Sequence, residues 1–529
     1  MRRFSSYGPV DKDIHYYVPR TELLNKIKRY LIGEVEEKGG HYVTIWAPRQ
    51  TGKTWLLLQI YWELKNIEKY FCAKIDLQHL KKERDTIYCI NSIIDKINDI
   101  TGLNLNRVAN LAEFQEVFRK EKTNRPLILI LDEFDSLEEE VINDLVSVFR
   151  NIYLNRKSDL KSSFEKDYML HGLALIGIRS ALGIENPSGS PFNVQKSIHI
   201  PNLTREEVYE MYRWYERESG QKVGDEVIER IYHATQGQPG LVSWFGELLT
   251  DEYALPKEEP ITMKHFNFVY SEALSIQPNN NIINLISKAQ NPEYRPFVLS
   301  MFKTDEKVTF ELEDPICSYL YMNGIIGYER IGEQKYAKFS CQFVQEKLFR
   351  RFSRELFFNI GKLLVDPFIE IEEIVNEKGI NVAKMIALYG EYFKANRNWI
   401  LERAERRSDG RIYEAIYHFN LFAWLQEFLK RKRVYVQPEF PTGNGKIDIL
   451  LFHPNKIYGL ELKSFMDISE LKISIQQAGR YGRSLGLEEI YLVEFIEITV
   501  PERIKKEYEQ PKFVQGSNIN VKVIFVEVV

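Results

Sequence analysis

The spacing of apolar residues changes along the chain, and each change marks a predicted element. Residues 41–45 (H-Y-V-T-I) form a short β-rich run. From Trp55 onward Leu56, Leu57, Leu58, Ile60, Tyr61 and Leu64 follow a helical pattern. Residues 127–131 (L-I-L-I-L) are all apolar, which predicts a strand buried on both faces of a parallel sheet, and 173–178 (L-A-L-I-G-I) predict another. An amphipathic helix is expected over 23–31. Thr204 three residues before Glu207 is a capping box that starts a helix. Two helical runs, 295–301 and 314–323, precede two strand-like runs, 325–330 and 336–340, with a turn at 332–335. Residues 356–405 read as helical and connective, and 403–411 as a polar linker. The last third predicts a helix (412–430), two strands (446–452 and 457–463) joined through His453-Pro454-Asn455-Lys456, a helix, and a strand at 490–495.

Candidate chemistry sits where these elements join. Between the first strand and its helix lies W-A-P-R-Q-T-G-K-T (46–54), and a strand, a Gly-Lys-Thr loop and a helix are the context of a phosphate-binding loop. Backbone N–H groups of Pro48-Arg49-Gln50-Thr51-Gly52 and the helix dipole would face an anion, proline itself contributing only shape. Lys53 would reach the β- and γ-phosphates of ATP, and Thr54 would offer its hydroxyl to Mg²⁺. Ala47 replaces the usual first glycine with the smallest alternative. Asp132 and Glu133 end the 127–131 strand, where open α/β sheets bind ligands. Asp132 would hold Mg²⁺ through water, and Glu133 would orient the water attacking the γ-phosphate. Arg179 ends the next strand, either as a γ-phosphate sensor or as a surface arginine.

The order of this loop, L-D-E-F-D, G-I-R-S, L-T-R-E-E-V and T-Q-G-Q-P over residues 15–350 resembles the AAA-like branch of prokaryotic STAND-type ATPases. The resemblance implies a helical lid over about 200–257 that brings Pro239 to the nucleotide, and ATP-dependent homo-oligomerisation. The helices and hairpin within 258–355 suggest a winged helix, expected to pack against the ATPase in preference to binding DNA.

The C-terminal strands carry a second chemistry. A hairpin centred on 453–456 sets Asp448 directly opposite Glu461, with Lys463 on the same face. Facing carboxylates repel unless a divalent cation lies between them, and hard oxygen ligands suit Mg²⁺ or Mn²⁺. A three-residue loop would slip the register and send the two acids to opposite faces. Glu414 stands near the start of the preceding helix, with Glu427 as its competitor. Gln477 and Tyr481 share one face of the following helix. D…E-x-K with Q-x-x-x-Y over about 410–500 resembles the PD-(D/E)XK nuclease superfamily. That implies phosphodiester hydrolysis, with Glu414, Asp448 and Glu461 around metal, Lys463 at the attacking water, and Gln477 and Tyr481 in support.

Composition adds limits. At 529 residues the chain is expected to hold about three to four domains. A net charge of −4 requires any nucleic-acid surface to be local, and 430–433 (K-R-K-R) with Arg480 and Arg483 could form one, or simply end a helix well. Cys72, Cys89, Cys317 and Cys341 are scattered without zinc spacing, as in a reducing compartment. No apolar stretch approaches a membrane span, and no apolar core follows the basic start, so the expected location is cytoplasmic. The expected architecture is an α/β multidomain chain: P-loop core (1–200), helical lid (201–257), winged-helix-like module (258–355), helical linker (356–405) and nuclease-like domain (406–529). An ATP-controlled nuclease acting on DNA in preference to RNA is the leading expectation, similar to prokaryotic defence effectors. A nucleotide-switched scaffold that binds without cutting is the alternative, and a DNA-translocating motor a third.

Overall fold

The computed structural model describes residues 2–8, 10–177, 196–302, 307–357, 371–402, 412, 414–430, 432, 434–439, 448–497, 500–514 and 518–528. It divides into two compact units, 1–281 with 311–325, and 282–310 with 326–529. The stretch expected as one winged-helix-like module (258–355) therefore contributes residues to both.

The first unit begins with α1 (Thr21–Ile32), β1 (Tyr42–Trp46), α2 (Lys53–Lys65), β2 (Phe71–Asp76), α3 (Thr86–Thr101) and α4 (Leu111–Val117). It continues with β3 (Leu127–Asp132), α5 (Glu139–Ser158), β4 (Leu170–Gly177) and β5 (Lys196–His199). The strands form one parallel sheet in the order β2-β3-β4-β1-β5. All six residues of β3 are buried because successive side chains enter different cores. Ile128 and Ile130 share a core with Leu56, Leu57 and Ile60 of α2, whereas Leu129 and Leu131 share another with Ile93, Leu145 and Phe149. The helices that cover both faces explain the unbroken apolar run.

Helices α6 (Arg205–Ser219), α7 (Asp225–Thr235), α8 (Pro239–Glu247) and α9 (Met263–Ser275) follow. The capping box forms: Thr204 accepts from the Glu207 N–H and Glu207 from the Thr204 N–H. Gly237, at φ +69°, lets the chain turn into α8, where a Cβ would meet the Leu203 carbonyl oxygen at 1.9 Å.

Next come α10 (Asn280–Ala289), α11 (Arg295–Ser300) and α12 (Pro315–Met322), then β6 (Ile326–Ile331), β7 (Gln334–Phe339) and α13 (Gln342–Leu356). Helix α12 groups with the first unit: the Tyr321 ring lies 5.8 Å from that of Trp46, and Gly324 abuts Pro48. The β6–β7 hairpin pairs Ile331 with Gln334, so its turn is Gly332-Glu333, tighter than expected, and Gln334 and Lys335 belong to the strand.

The second unit adds α14 (Ile371–Ile374), β8 (Val375–Asn376), β9 (Gly379–Ile380), α15 (Val382–Ala395), α16 (Arg397–Leu401) and α17 (Glu414–Phe428). It ends with β10 (Tyr435–Glu439), β11 (Asp448–His453), β12 (Lys456–Ser464), α18 (Ile468–Ser484), β13 (Glu489–Ile496), α19 (Glu502–Glu509), β14 (Lys512–Val514) and β15 (Ile519–Glu527). Its mixed sheet runs β10-β11-β12-β13-β15-β14, with β12, β13 and β15 parallel and the other pairings antiparallel. Tyr417 of α17 stacks on Phe495 at 4.5 Å on one face, while Ile475 and Ala478 of α18 pack on Ile490 and Leu492 on the other. Helix α13 joins this core through Phe349, stacked on Phe419 at 4.7 Å.

Candidate functional site

Residues 46–54 link β1 to α2 as the strand–loop–helix pattern predicts. Gln50 and Gly52 adopt positive φ (57° and 84°), which curls the loop around the N-terminus of α2. Thr51 pins the curl through a 2.8 Å hydrogen bond from its hydroxyl to the Pro48 carbonyl. Lys53 is buried, and its ammonium donates to the carbonyls of Ala47 (2.8 Å) and Pro48 (2.9 Å). Burial lowers its pKa, opposed by the charges of Glu133, Asp135 and Asp132. Thr54 and Arg49 are exposed.

Asp132 closes β3 and is 2% exposed. Its Oδ1 accepts from the Glu133 N–H (3.1 Å), and its Oδ2 lies 3.0 Å from the ammonium of Lys74 on β2. The Asp132 carboxylate and the Thr54 hydroxyl are hard oxygen donors of the kind Mg²⁺ takes. Glu133 turns through φ +54°, and burial with Asp135 and Asp132 beside it raises its pKa. Arg179 lies outside the described residues.

The start of α8 is hydrogen-bonded to the loop. Gln238 accepts from the Leu241 N–H at the start of α8 and donates to the carbonyls of Arg49 (3.1 Å) and Gln50 (3.3 Å), while the Gly240 N–H donates to Gln50 (2.9 Å). Pro239 then lines a largely apolar cavity with Tyr17, Val18, Thr51, Gly52 and Trp55. An apolar slot beside an anion-binding loop suits a planar base attached to phosphates.

In the second unit, the β11–β12 register pairs His453 with Lys456 and Ile449 with Leu460. Continued one step, this register would set the backbone of Asp448 opposite Glu461; the side chain of Asp448 lies outside the described residues. Glu461 is 2% exposed. Glu414, the first residue of α17, accepts from the Ser464 N–H (3.0 Å), which ties that helix to the end of β12. Lys463 has Glu494 of β13 as its strand partner. Burial, with Glu414 nearby, pushes the Glu494 carboxyl up to about 8 against the pull of Lys463, and its Oε1 has no hydrogen-bond partner among the described residues. Carboxylates are the hard oxygen donors that Mg²⁺ and Mn²⁺ take. Among the described residues no three His, Cys, Asp or Glu side chains gather closely enough to hold a metal ion. His418, one turn along α17 from Glu414, is pushed down to about 4 by burial. Gln477 and Tyr481 are half-buried on α18.

Three residues at these sites escape the sequence reading: Lys74, Gln238 and Glu494. Their only signals are a cation in an apolar strand (F-C-A-K-I-D), an acid in another (Y-L-V-E-F), and the glutamine of G-Q-P.

This parallel sheet and loop define a P-loop ATPase domain. Residues 5–257 match the family model described as AAA-like domain. Among solved structures, the chain is similar to a Walker-type ATPase of Pyrococcus abyssi (14% identity, covering 65% of this chain and 98% of that one, TM-score 0.42). It is also similar to the ORC2 protein of Aeropyrum pernix (14% identity, 64% and 94%, TM-score 0.39) and the RuvB Holliday junction branch migration motor of Thermotoga maritima (15% identity, 62% and 94%, TM-score 0.34). No curated protein matches the chain. No helix among the described residues is long and apolar enough to cross a membrane.

Proposed function

We propose that the chain binds and hydrolyses ATP and that nucleotide state controls a metal-dependent nuclease in its C-terminal domain, with DNA favoured over RNA. The observation that carries the nuclease reading is the β11–β12 register, which, continued one step, would set the backbones of Asp448 and Glu461 opposite each other while Glu414 is bound to the far end of β12. Helix–strand–strand–strand–helix–strand order and the mixed sheet support it, in keeping with a PD-(D/E)XK nuclease. The domain division that goes with this reading is a P-loop core, lid, winged-helix-like module, linker and nuclease-like domain.

At the ATPase site, Lys53 would leave the loop carbonyls for the β- and γ-phosphates, and Glu133 would align the attacking water. Thr54 and Asp132 would hold the Mg²⁺ that accompanies ATP, which screens phosphate charge when bound. At the nuclease site, Asp448, Glu461 and Glu414 would hold Mg²⁺ or Mn²⁺, a Lewis acid toward a phosphodiester. Lys463 would orient the attacking water with its ammonium, and Gln477 and Tyr481 would steady the strand from α18. A homo-oligomer formed in one nucleotide state would pair nuclease sites, as in a defence effector of the STAND type. The scaffold reading draws on one observation, the deep burial of Glu414 and Glu461, which leaves the acids little access to a phosphodiester.

The test incubates purified protein with supercoiled plasmid, linear duplex, single-stranded DNA and RNA, with Mg²⁺ or Mn²⁺ and with or without ATP. Cleavage lost in Lys463→Ala is the expected result, and a changed rate in Lys53→Ala would show ATP control. Intact ATPase activity with no cleavage of any substrate would favour the scaffold.

A further inference from the structure

Lys74 is a charged residue in a strand that is otherwise built for the core. Side chains alternate along β2: Ala73 and Ile75 join one core cluster, and Cys72 joins the other, on the α2 face. Lys74 shares the Cys72 face, and its side chain is only 12% exposed. An ammonium so far from water is tolerated when an anion meets it, and here the anion is Asp132, 3.0 Å away and 3% exposed. Both oxygens of Asp132 are thereby engaged, one by Lys74 and one by the Glu133 N–H. The site's other lysine, Lys53, is bonded to the carbonyls of Ala47 and Pro48 instead.

We propose that Lys74 is the resident counter-ion of Asp132, a positioning residue that holds this acid when no divalent cation is present and opposes Mg²⁺ when one arrives. The inference rests on the nucleotide reading of residues 46–54. An unpaired Asp132 would repel incoming phosphates, and Lys74 cancels that repulsion. A cation entering beside Asp132 must share the carboxylate with an ammonium of like charge in a dry site, where charges are poorly screened. Two consequences follow. The wild-type protein binds ATP in chelator nearly as well as in Mg²⁺. Removal of the ammonium makes binding depend strongly on Mg²⁺.

Titration of full-length protein with a fluorescent, slowly hydrolysed ATP analogue, in EDTA and in excess Mg²⁺, tests this through the ratio of the two Kd values. Lys74→Met is expected to raise that ratio by about fivefold or more over wild type, while Lys74→Arg leaves it within about twofold. A purely structural ion pair would lower the melting temperature of Lys74→Met without moving the ratio, and an unmoved ratio overturns the inference. If Lys74→Met does not fold, the wild-type ratio decides. A value below about threefold supports the resident counter-ion, and a larger one overturns it. No binding in either buffer would overturn the nucleotide reading and this inference with it, whereas binding with an unmoved ratio overturns this inference alone.

Discussion

At the scale of single residues, burial decides what each charge does. His171 in β4 is fully buried; its Nε2 donates to the Ile32 carbonyl (2.7 Å) and its Nδ1 accepts from Ser163 (2.8 Å), so both nitrogens are used in the neutral form. Burial and then the nearby Arg156 push it down to about 4. The folded pKa lies below the unfolded one, so the unfolded chain takes up a proton first as pH falls. The stabilisation is full above about pH 6.5 and is lost as pH drops toward 4. Relative to His171→Asn, the wild type should lose up to about 3 kcal/mol between pH 7 and pH 4, read from denaturant unfolding of both proteins. None of this is legible in H-G-L-A-L-I-G, since a histidine in an apolar strand carries no mark of its partners.

Elements are where local patterns were most readable. The capping box at Thr204, the buried β3 and the 453–456 hairpin all form as their residue patterns imply, because each depends on neighbours a few positions away. Thr204→Ala should cost about 1 kcal/mol, measured as a lowered denaturation midpoint. The hairpin allows a sharper test. One residue inserted between Pro454 and Asn455 should shift β11 against β12, which β13 and the Glu414–Ser464 contact hold in place. Asp448 then leaves its position opposite Glu461. Cleavage should disappear while ATP-analogue affinity stays within about twofold, since the loop at 46–54 belongs to the other unit. Cleavage at the wild-type rate would mean that the Asp448–Glu461 register plays no part in it. The short β8–β9 hairpin has no sequence signature, because two-residue strands leave no periodicity to read.

For the whole molecule, the division into two compact units predicts two unfolding events. In calorimetry, ATP analogue at about 100 times its Kd should stabilise only one of them, by about 2.7 kcal/mol. Lys53→Ala should abolish that shift, and a shift of both events together would mean that the units unfold as one. The grouping of α12 with the ATPase unit, beside Trp46 and Pro48, belongs to this scale too. Chain order places that helix next to the β6–β7 hairpin, and only packing shows which neighbours it prefers.

What the sequence determined by itself is the set of parts whose physics is local: the loop at 46–54, the acids that end β3, and the alternation that puts Glu461 and Lys463 on one face. Hydrogen bonds and side-chain period act over a few residues, so they leave a readable trace. Tertiary structure alone decided which charges meet. Lys74 reaches Asp132 on the neighbouring strand, Gln238 reaches the carbonyls of Arg49 and Gln50 from 189 and 188 residues away, and Glu494 comes beside Lys463 only when β13 pairs with β12. Those encounters depend on strand order and on the packing of distant elements, to which apolar spacing is blind, and they set the electrostatics of both sites.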